Sequence, residues 1–502
     1  MHDQSTAGRV SPSAGRVAPE RSEDAYRDIE SSSPGLDARA PSSLATRPAE
    51  FSTRPGEASL FRFATAGSVD DGKSTLVGRL LHDSKGIPVD QLDAITRVSA
   101  ERGFGGATSG AIDFALLTDG LRAEREQGIT IDVAHRYFAT DRRSFILADC
   151  PGHVQYTRNM VTGATTADAV VVLIDARKGV LEQTRRHLSV MRLLRVPHLI
   201  VAVNKVDLVD YDEAVFRAIE VDARGVAAEL GIADVTVIPV SALEGDNVVD
   251  ASARTPWYVG PSLLELLEGL PLSDELERDE APFRLSVQLA IRPQGASAPG
   301  LDADAFRDYR AYAGSVASGS ITVGDRVGVL PGGATTTIVG IDAAGRELSS
   351  AAAPQAVALR FVDDLDIARG DVIVTAPRAA DAASQLSADL DGELFWLDPR
   401  PARAGKRVLV KYGTATVQAV VREIVGRHSL ETLVLEPADI LEVNDIGRAR
   451  LRLASPLPLQ PYAQQRRAGA FVVIDPHDGA TLAAGTVNAP LIENPSRDPM
   501  VE

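Results

Sequence analysis

Residues 67 to 74 read GSVDDGKS. Four residues separate Gly67 from Gly72, and Lys73 and Ser74 follow at once. This is the spacing of a loop that cradles phosphate, and its surroundings suit it: an apolar run, FRFATAG, precedes it and a helix-like stretch, STLVGRLLH, follows. The two glycines permit unusual backbone angles, so the N–H groups of Ser68, Val69, Asp70, Asp71 and their neighbours can ring a β-phosphate. Lys73 can reach the β- and γ-phosphates. The Ser74 hydroxyl can ligate Mg²⁺ as Ser74 and Thr75 open the helix. Because backbone and Lys73 would hold the anion, the side chains of Asp70 and Asp71 can point away from it.

Outward from this loop, short Val- and Ile-rich runs alternate with helical stretches. The runs SFILADC, AVVVLIDAR, HLIVAVNK and VTVIPVSA each end in polar residues, and EQTRRHLSVMRLL and DEAVFRAIEVDARGVAAEL lie between them. This alternation predicts an α/β domain: a mostly parallel sheet with helices on both faces and ligand chemistry at the carboxyl ends of its strands. Three further motifs sit at those ends. In DCPGH (149–153), Asp149 can hold Mg²⁺ through water and the Gly152 N–H can sense a γ-phosphate, with Cys150 and Pro151 between them. Cys150 reads as a small apolar filler. In NKVD (204–207), Asp207 can accept from the N1–H and 2-amino group of guanine, donors that adenine lacks. Asn204 and the stem of Lys205 would flank the base, with Val206 between them and Asp207. SAL, Ser241 to Leu243 with Ala242 at its centre, would offer a backbone N–H to the guanine oxygen. In REQGITID, Thr130 would complete the Mg²⁺ shell only when a γ-phosphate is present. His153 is the candidate to position the attacking water. The remaining histidines, His187 and His428 among them, read as structural or surface groups, and no zinc-like spacing occurs.

The rest of the chain sets bounds. Its 502 residues are 44% hydrophobic, enough for about three domains with cores of their own. No run approaches the ~18 apolar residues of a membrane span, and no apolar leader opens the chain. A single cysteine excludes an internal disulfide, and a soluble, cytoplasmic protein is expected. A net charge of −17 speaks against nucleic acid as a partner. Lysine is rare, at six positions, and two of the six, Lys73 and Lys205, fall inside the nucleotide motifs.

Residues 1–56, rich in Ser, Pro, Ala and Arg, are expected to be a disordered tail. The GTP-binding domain is expected over 57–275. Beyond it the helices give way to short strands with Gly and Asp turns, expected as two all-β barrels or sandwiches over 280–380 and 384–489, before a C-terminal tail over 490–502. QGASAPGLDADAF (294–306) reads as a surface insertion.

The guanine motifs followed by two β-domains resemble the translation-factor GTPases, such as elongation factor Tu. The phrases LLTDGLRAEREQGITIDVAHRYF, DCPGHVQYTRNMVTGATTAD, IDARKGVLEQTRRH, SALEGDNV and PWYVGPSLLELLE are similar, more narrowly, to the GTPase subunit of bacterial sulfate adenylyltransferase (subunit 1). The likeness runs from about residue 61 to about residue 489. Asp71 fits it, since elongation factors usually place His or Ala there. Asp70 matches an aspartate common to translation-type GTPases, which binds a monovalent cation or braces the mobile loop.

The resemblance implies two barrels after the GTPase domain and Mg²⁺ with GTP. It also implies a separate catalytic subunit that converts ATP and sulfate to adenosine 5′-phosphosulfate and pyrophosphate, driven by GTP hydrolysis here. Water would attack the γ-phosphate in line, assisted by Mg²⁺ and Lys73 and oriented by His153. No arginine finger is assigned; Arg122, Arg125 and Arg158 read as solvated or helix-pairing. No second phosphate loop is present, so a fused kinase activity is not expected. The competing readings are a translation factor delivering aminoacyl-tRNA and a GTP-bound scaffold without coupled turnover.

Overall fold

The structure, a computed structural model, describes residues 59–84, 132–152, 157–273, 281–293, 307–376 and 386–488, with positions 96, 97, 99, 112, 114 and 304. The expected tails, Thr130, His153, Arg122, Arg125 and all but residue 304 of the 294–306 segment lie outside the described residues.

The first part is built on β1 (Leu60–Gly67), β2 (Ala134–Ala139), β3 (Ser144–Asp149), β4 (Ala169–Asp175), β5 (His198–Asn204) and β6 (Thr236–Pro239). They form one sheet in the order β2-β3-β1-β4-β5-β6. Strand β2 pairs antiparallel with β3, and every other pairing is parallel. All seven residues of β4 are buried, as a parallel strand covered on both faces requires.

Among the described residues the named helices are α1 (Lys73–Asp83), α2 (Thr157–Thr165), α3 (Glu182–Leu193), α4 (Glu213–Glu229) and α5 (Leu263–Gly269). Leu76, Val77 and Leu80 of α1 and Leu263 and Leu267 of α5 bury against one face of the sheet. Met160 and Val161 of α2, Leu188 of α3, and Phe216 and Ile219 of α4 bury against the other. Local chemistry sets the helix starts. Asp212 caps α4 by accepting the Ala214 N–H at 2.7 Å, and Ser262 with Glu265 forms a capping box on α5.

The β-part contains two closed barrels rather than sandwiches. In the first, β7 (Arg284–Ile291), β8 (Ala311–Ser318), β9 (Arg326–Leu330), β10 (Ala334–Ala343), β11 (Ala356–Phe361) and β12 (Val372–Thr375) run in the order β9-β12-β7-β8-β11-β10. The β9–β10 pairing closes this ring. In the second, β13 (Leu386–Trp396), β14 (Arg407–Tyr412), β15 (Ala415–His428), β16 (Ile446–Pro458), β17 (Ala470–Ile474) and β18 (Thr481–Val487) run β14-β17-β18-β13-β16-β15, closed by β14–β15. Closure leaves six paired strands with inward side chains as the core: Leu285, Val287 and Tyr312 in one barrel, Leu394, Trp396 and Val410 in the other.

The second barrel is fastened to the α/β part. Phe395 and Ile446 join the core that contains α3. Tyr462 donates to the Leu194 carbonyl at 2.8 Å, Arg466 to those of Ala167 and Thr165 at 3.1 and 3.2 Å, and Ser189 to that of Leu430 at 2.7 Å.

Candidate functional site

The carboxyl ends of β1, β3, β4 and β5 lie along one edge of the sheet, because the strands are parallel and nearly level in register. Thr65 faces Asp149 across β1–β3, and Asp175 faces Asn204 across β4–β5. The phosphate-type loop, DCPG, the end of AVVVLID and NKVD therefore meet there, with SAL just beyond β6.

In the loop after β1, Gly67 and Gly72 adopt φ of 148° and 90°. A side chain at Gly72 would be impossible on steric grounds too: its Cβ would lie 2.4 Å from Asn204 Nδ2. Gly72 caps α1, so Lys73 is the first helical residue and Ser74 and Thr75 follow in the first turn. The Lys73 ammonium folds back over its own loop, donating to the Gly67 carbonyl at 3.0 Å and the Ser68 carbonyl at 2.8 Å. Burial lowers its pKa, opposed by the nearby Asp149 and Asp71 carboxylates. The backbone of DCPG presses onto this group. A Cβ on Gly152 would lie 2.4 Å from both Gly67 O and Lys73 Nζ.

The two aspartates part company. Asp70 is exposed, in a left-handed conformation with φ of 67°. Asp71 is buried and its carboxylate accepts the Ser68 N–H of the same loop at 2.7 Å. Burial raises the Asp71 pKa, with the Ser68 bond and Lys73 opposing. Asp149 is buried at the end of β3 and accepts from the Thr65 hydroxyl at 2.7 Å. Cys150 is fully buried, burial pushes its thiol pKa up, and it packs where Gly163 of α2 leaves room, as a filler would.

Asn204 links the loops. Its Nδ2 donates to the Asp71 carbonyl at 2.7 Å and its Oδ1 accepts the Ala242 N–H at 2.9 Å. The Lys205 ammonium donates to the Asp70 carbonyl. Val206 is buried at the start of a 3₁₀ turn (Val206–Val209). Beside it Asp207 accepts from the Ser241 hydroxyl at 2.6 Å, so the NKVD and SAL motifs are tied directly.

Three participants carried no motif signal. Arg79 in α1 donates to the Ala242 carbonyl at 3.2 Å and to that of Leu243, holding the SAL loop from the helix that follows the phosphate-type loop. Asp175, buried, is paired with the half-exposed Arg177 beside Lys205. Only the polar ending of AVVVLID hinted at the last two. Arg158 is exposed on α2, as a solvated arginine would be.

The donors available for a metal are oxygen atoms of a hydroxyl, Ser74, and a carboxylate, Asp149, the hard set that suits Mg²⁺. Among the described residues no group of three or more His, Cys, Asp or Glu could hold a metal by itself. No helix among them is long and apolar enough to cross a membrane.

Comparison with known proteins gives concordant results. The family model described as the elongation factor Tu GTP binding domain matches residues 58–274, and that of the GTP-eEF1A C-terminal domain-like family matches 389–488. Sulfate adenylyltransferase subunit 1 of Aliarcobacter butzleri is 44% identical over 88% of this chain and 88% of its own length. The protein of the same name from Laribacter hongkongensis is 46% identical over 86% of this chain and 85% of its own. The bifunctional enzyme CysN/CysC of Mycobacterium tuberculosis is 47% identical over 86% of this chain and 67% of its own length.

Proposed function

The chain belongs to the sulfate adenylyltransferase subunit 1 family and is a GTP-hydrolysing subunit of that enzyme, and from this premise we propose how its residues serve that role. GTP binds at the strand-end edge, with its phosphates against residues 67–75 and 149–153 and its base between residues 204–207 and 241–243. The observation that carries this reading is the Asn204 bridge. One buried side chain joins the backbone of the phosphate-type loop to that of SAL, so the two ends of a guanine nucleotide would meet one connected surface.

Ser74, Asp149 and Thr130 would hold Mg²⁺, which neutralises charge on the phosphates when bound. Lys73 lies poised between two carbonyls, bonds it can exchange for phosphate oxygens. Asp207 and the SAL backbone select guanine. His153 orients water for in-line attack on the γ-phosphate. Residues 57–275 form the GTP-binding domain, and the divisions 280–380 and 384–489 each contribute one barrel. With a separate catalytic subunit in the cytoplasm, hydrolysis drives ATP and sulfate to adenosine 5′-phosphosulfate and pyrophosphate.

Reconstitution tests the proposal. GTP turnover is expected to rise when ATP, sulfate and the catalytic subunit are added together, and His153→Ala is expected to abolish both the rise and the coupled product without weakening GTP binding. Stimulation by ribosomes and aminoacyl-tRNA alone would replace it with the translation-factor reading. Unchanged product yield in His153→Ala would replace it with a scaffold.

A further inference from the structure

We infer that Asp175 is a positioning residue, which anchors the Lys205 ammonium over the phosphate-type loop and so slows the release of a guanine nucleotide. The inference rests on the nucleotide site proposed above and assigns a role that no motif in that site carries.

Asp175 is the last residue of β4, level with Asn204 in the parallel register, and its side chain is wholly buried. Such a carboxylate needs all its acceptor sites filled. Arg177 supplies three donors: its backbone N–H to Oδ1 at 3.0 Å, Nε to Oδ1 at 3.0 Å and Nη2 to Oδ2 at 2.6 Å. The fourth donor is Lys205 Nζ, 3.0 Å from Oδ2. Burial alone would raise the Asp175 pKa, but Arg177 and Lys205 hold it well below the ordinary carboxylate range, so it stays an anion throughout neutral pH.

The consequence lies with Lys205. Its backbone is left-handed (φ 65°), and its ammonium spans Asp175 on one side and the Asp70 carbonyl on the other. A lysine side chain carries about 2 kcal/mol of rotamer entropy when free. With one end of that bridge fixed by a buried anion, much of this ordering precedes nucleotide binding. The stem then lies in place to cover a base, and Asp70 is tied to β4 as well as β5. Asp207 takes no part in the bridge, since its bond is to Ser241. Retention of nucleotide and choice of base are therefore separable. The half-exposed Arg177 bonds the same carboxylate, but its hydrogen bonds go to Asp175, whereas Lys205 alone carries the contact on to the Asp70 carbonyl.

The test is stopped-flow release of a fluorescent GDP analogue from the full chain, with circular dichroism to verify folding. Asp175→Asn is expected to release the analogue at least about tenfold faster, the size of one charge-assisted hydrogen bond, with the preference for guanine over adenine unchanged. Lys205→Met is expected to match it, and the double variant to be no faster than Lys205→Met alone within about twofold, because the two act through one contact. Arg177→Ala is expected to change release less than about threefold, and this contrast with Lys205→Met decides the matter should Asp175→Asn fail to fold. Additive effects in the cycle, or an Arg177→Ala as fast as Lys205→Met, would overturn the role of Asp175 alone. A Lys205→Met that releases nucleotide at the parent rate would overturn the nucleotide-site reading along with it.

Discussion

Removing the Asn204 side chain isolates the coupling between the two halves of the site. Asn204→Ala deletes both bonds of the bridge and leaves two buried backbone groups, the Asp71 carbonyl and the Ala242 N–H, without that partner. An unsatisfied buried group costs about 1–3 kcal/mol, so the pair amounts to roughly 2–6 kcal/mol. A domain's stability of about 5–15 kcal/mol would in most of that range survive the loss. Both orphaned groups belong to loops rather than to the sheet, so most of the cost should fall on loop order. Even the lower figure predicts GDP affinity weaker by about 30-fold. Equilibrium titration with a fluorescent GDP analogue measures the affinity, and urea unfolding of the nucleotide-free protein measures the stability.

The near-isosteric Asn204→Asp sharpens the test. It keeps an acceptor for the Ala242 N–H but places a carboxylate oxygen against the Asp71 carbonyl, where a donor stood at 2.7 Å. If hydrogen-bond polarity rather than packing matters, this variant should bind GDP as poorly as the alanine. The reasoning fails if Asn204→Ala shifts the urea midpoint yet leaves GDP affinity within threefold of the parent, or if Asn204→Asp binds like the parent.

Two further outcomes follow from the geometry. Gly152→Ala would place its Cβ 2.4 Å from Gly67 O and Lys73 Nζ, displacing the ammonium or the DCPG backbone; GTP turnover should fall by at least about 100-fold, and turnover within tenfold of the parent would contradict this. His187 is buried beside a cavity of about 280 Å³ lined also by Arg186, Arg427, His428, Glu431 and Asp445, and burial lowers its pKa to about 3. Because the folded pKa lies below the unfolded value near 6.5, the unfolded chain takes up the proton first, and stability present above pH 6.5 is lost as pH falls toward 3. The loss attributable to His187 at pH 5 is about 2 kcal/mol. His428, paired with Glu393 at 2.8 Å and shifted the other way, acts in the opposite sense, so the quantity to compare is the pH dependence of unfolding in the parent and in His187→Gln. Equal slopes from pH 8 to 5 would rule out the His187 contribution.

The local backbone around the candidate site was legible without coordinates where its motif lies in consecutive residues at a strand end. GSVDDGKS required left-handed or open backbone at its glycines, and Gly67 and Gly72 supply it. AVVVLID announced a strand covered on both faces, and all seven residues are buried. The second carboxylate of the loop was legible as an oddity but not in its role. Only the folded loop shows Asp71 accepting the Ser68 N–H while Asp70 faces solvent.

What the chain by itself determined was the kind of element and the kind of chemistry at each strand terminus, since apolar periodicity and turn residues act over a few positions. Tertiary structure decided which of those termini touch. Asn204 reaches a carbonyl 133 residues away and an N–H 38 residues away. Asp175 meets Lys205 only because β4 and β5 are parallel neighbours in level register. Each barrel closes only through one pairing, β9–β10 or β14–β15, on which a sandwich and a barrel differ. Strand order and register are settled by how whole faces bury against one another, a balance to which no short stretch of sequence holds the key.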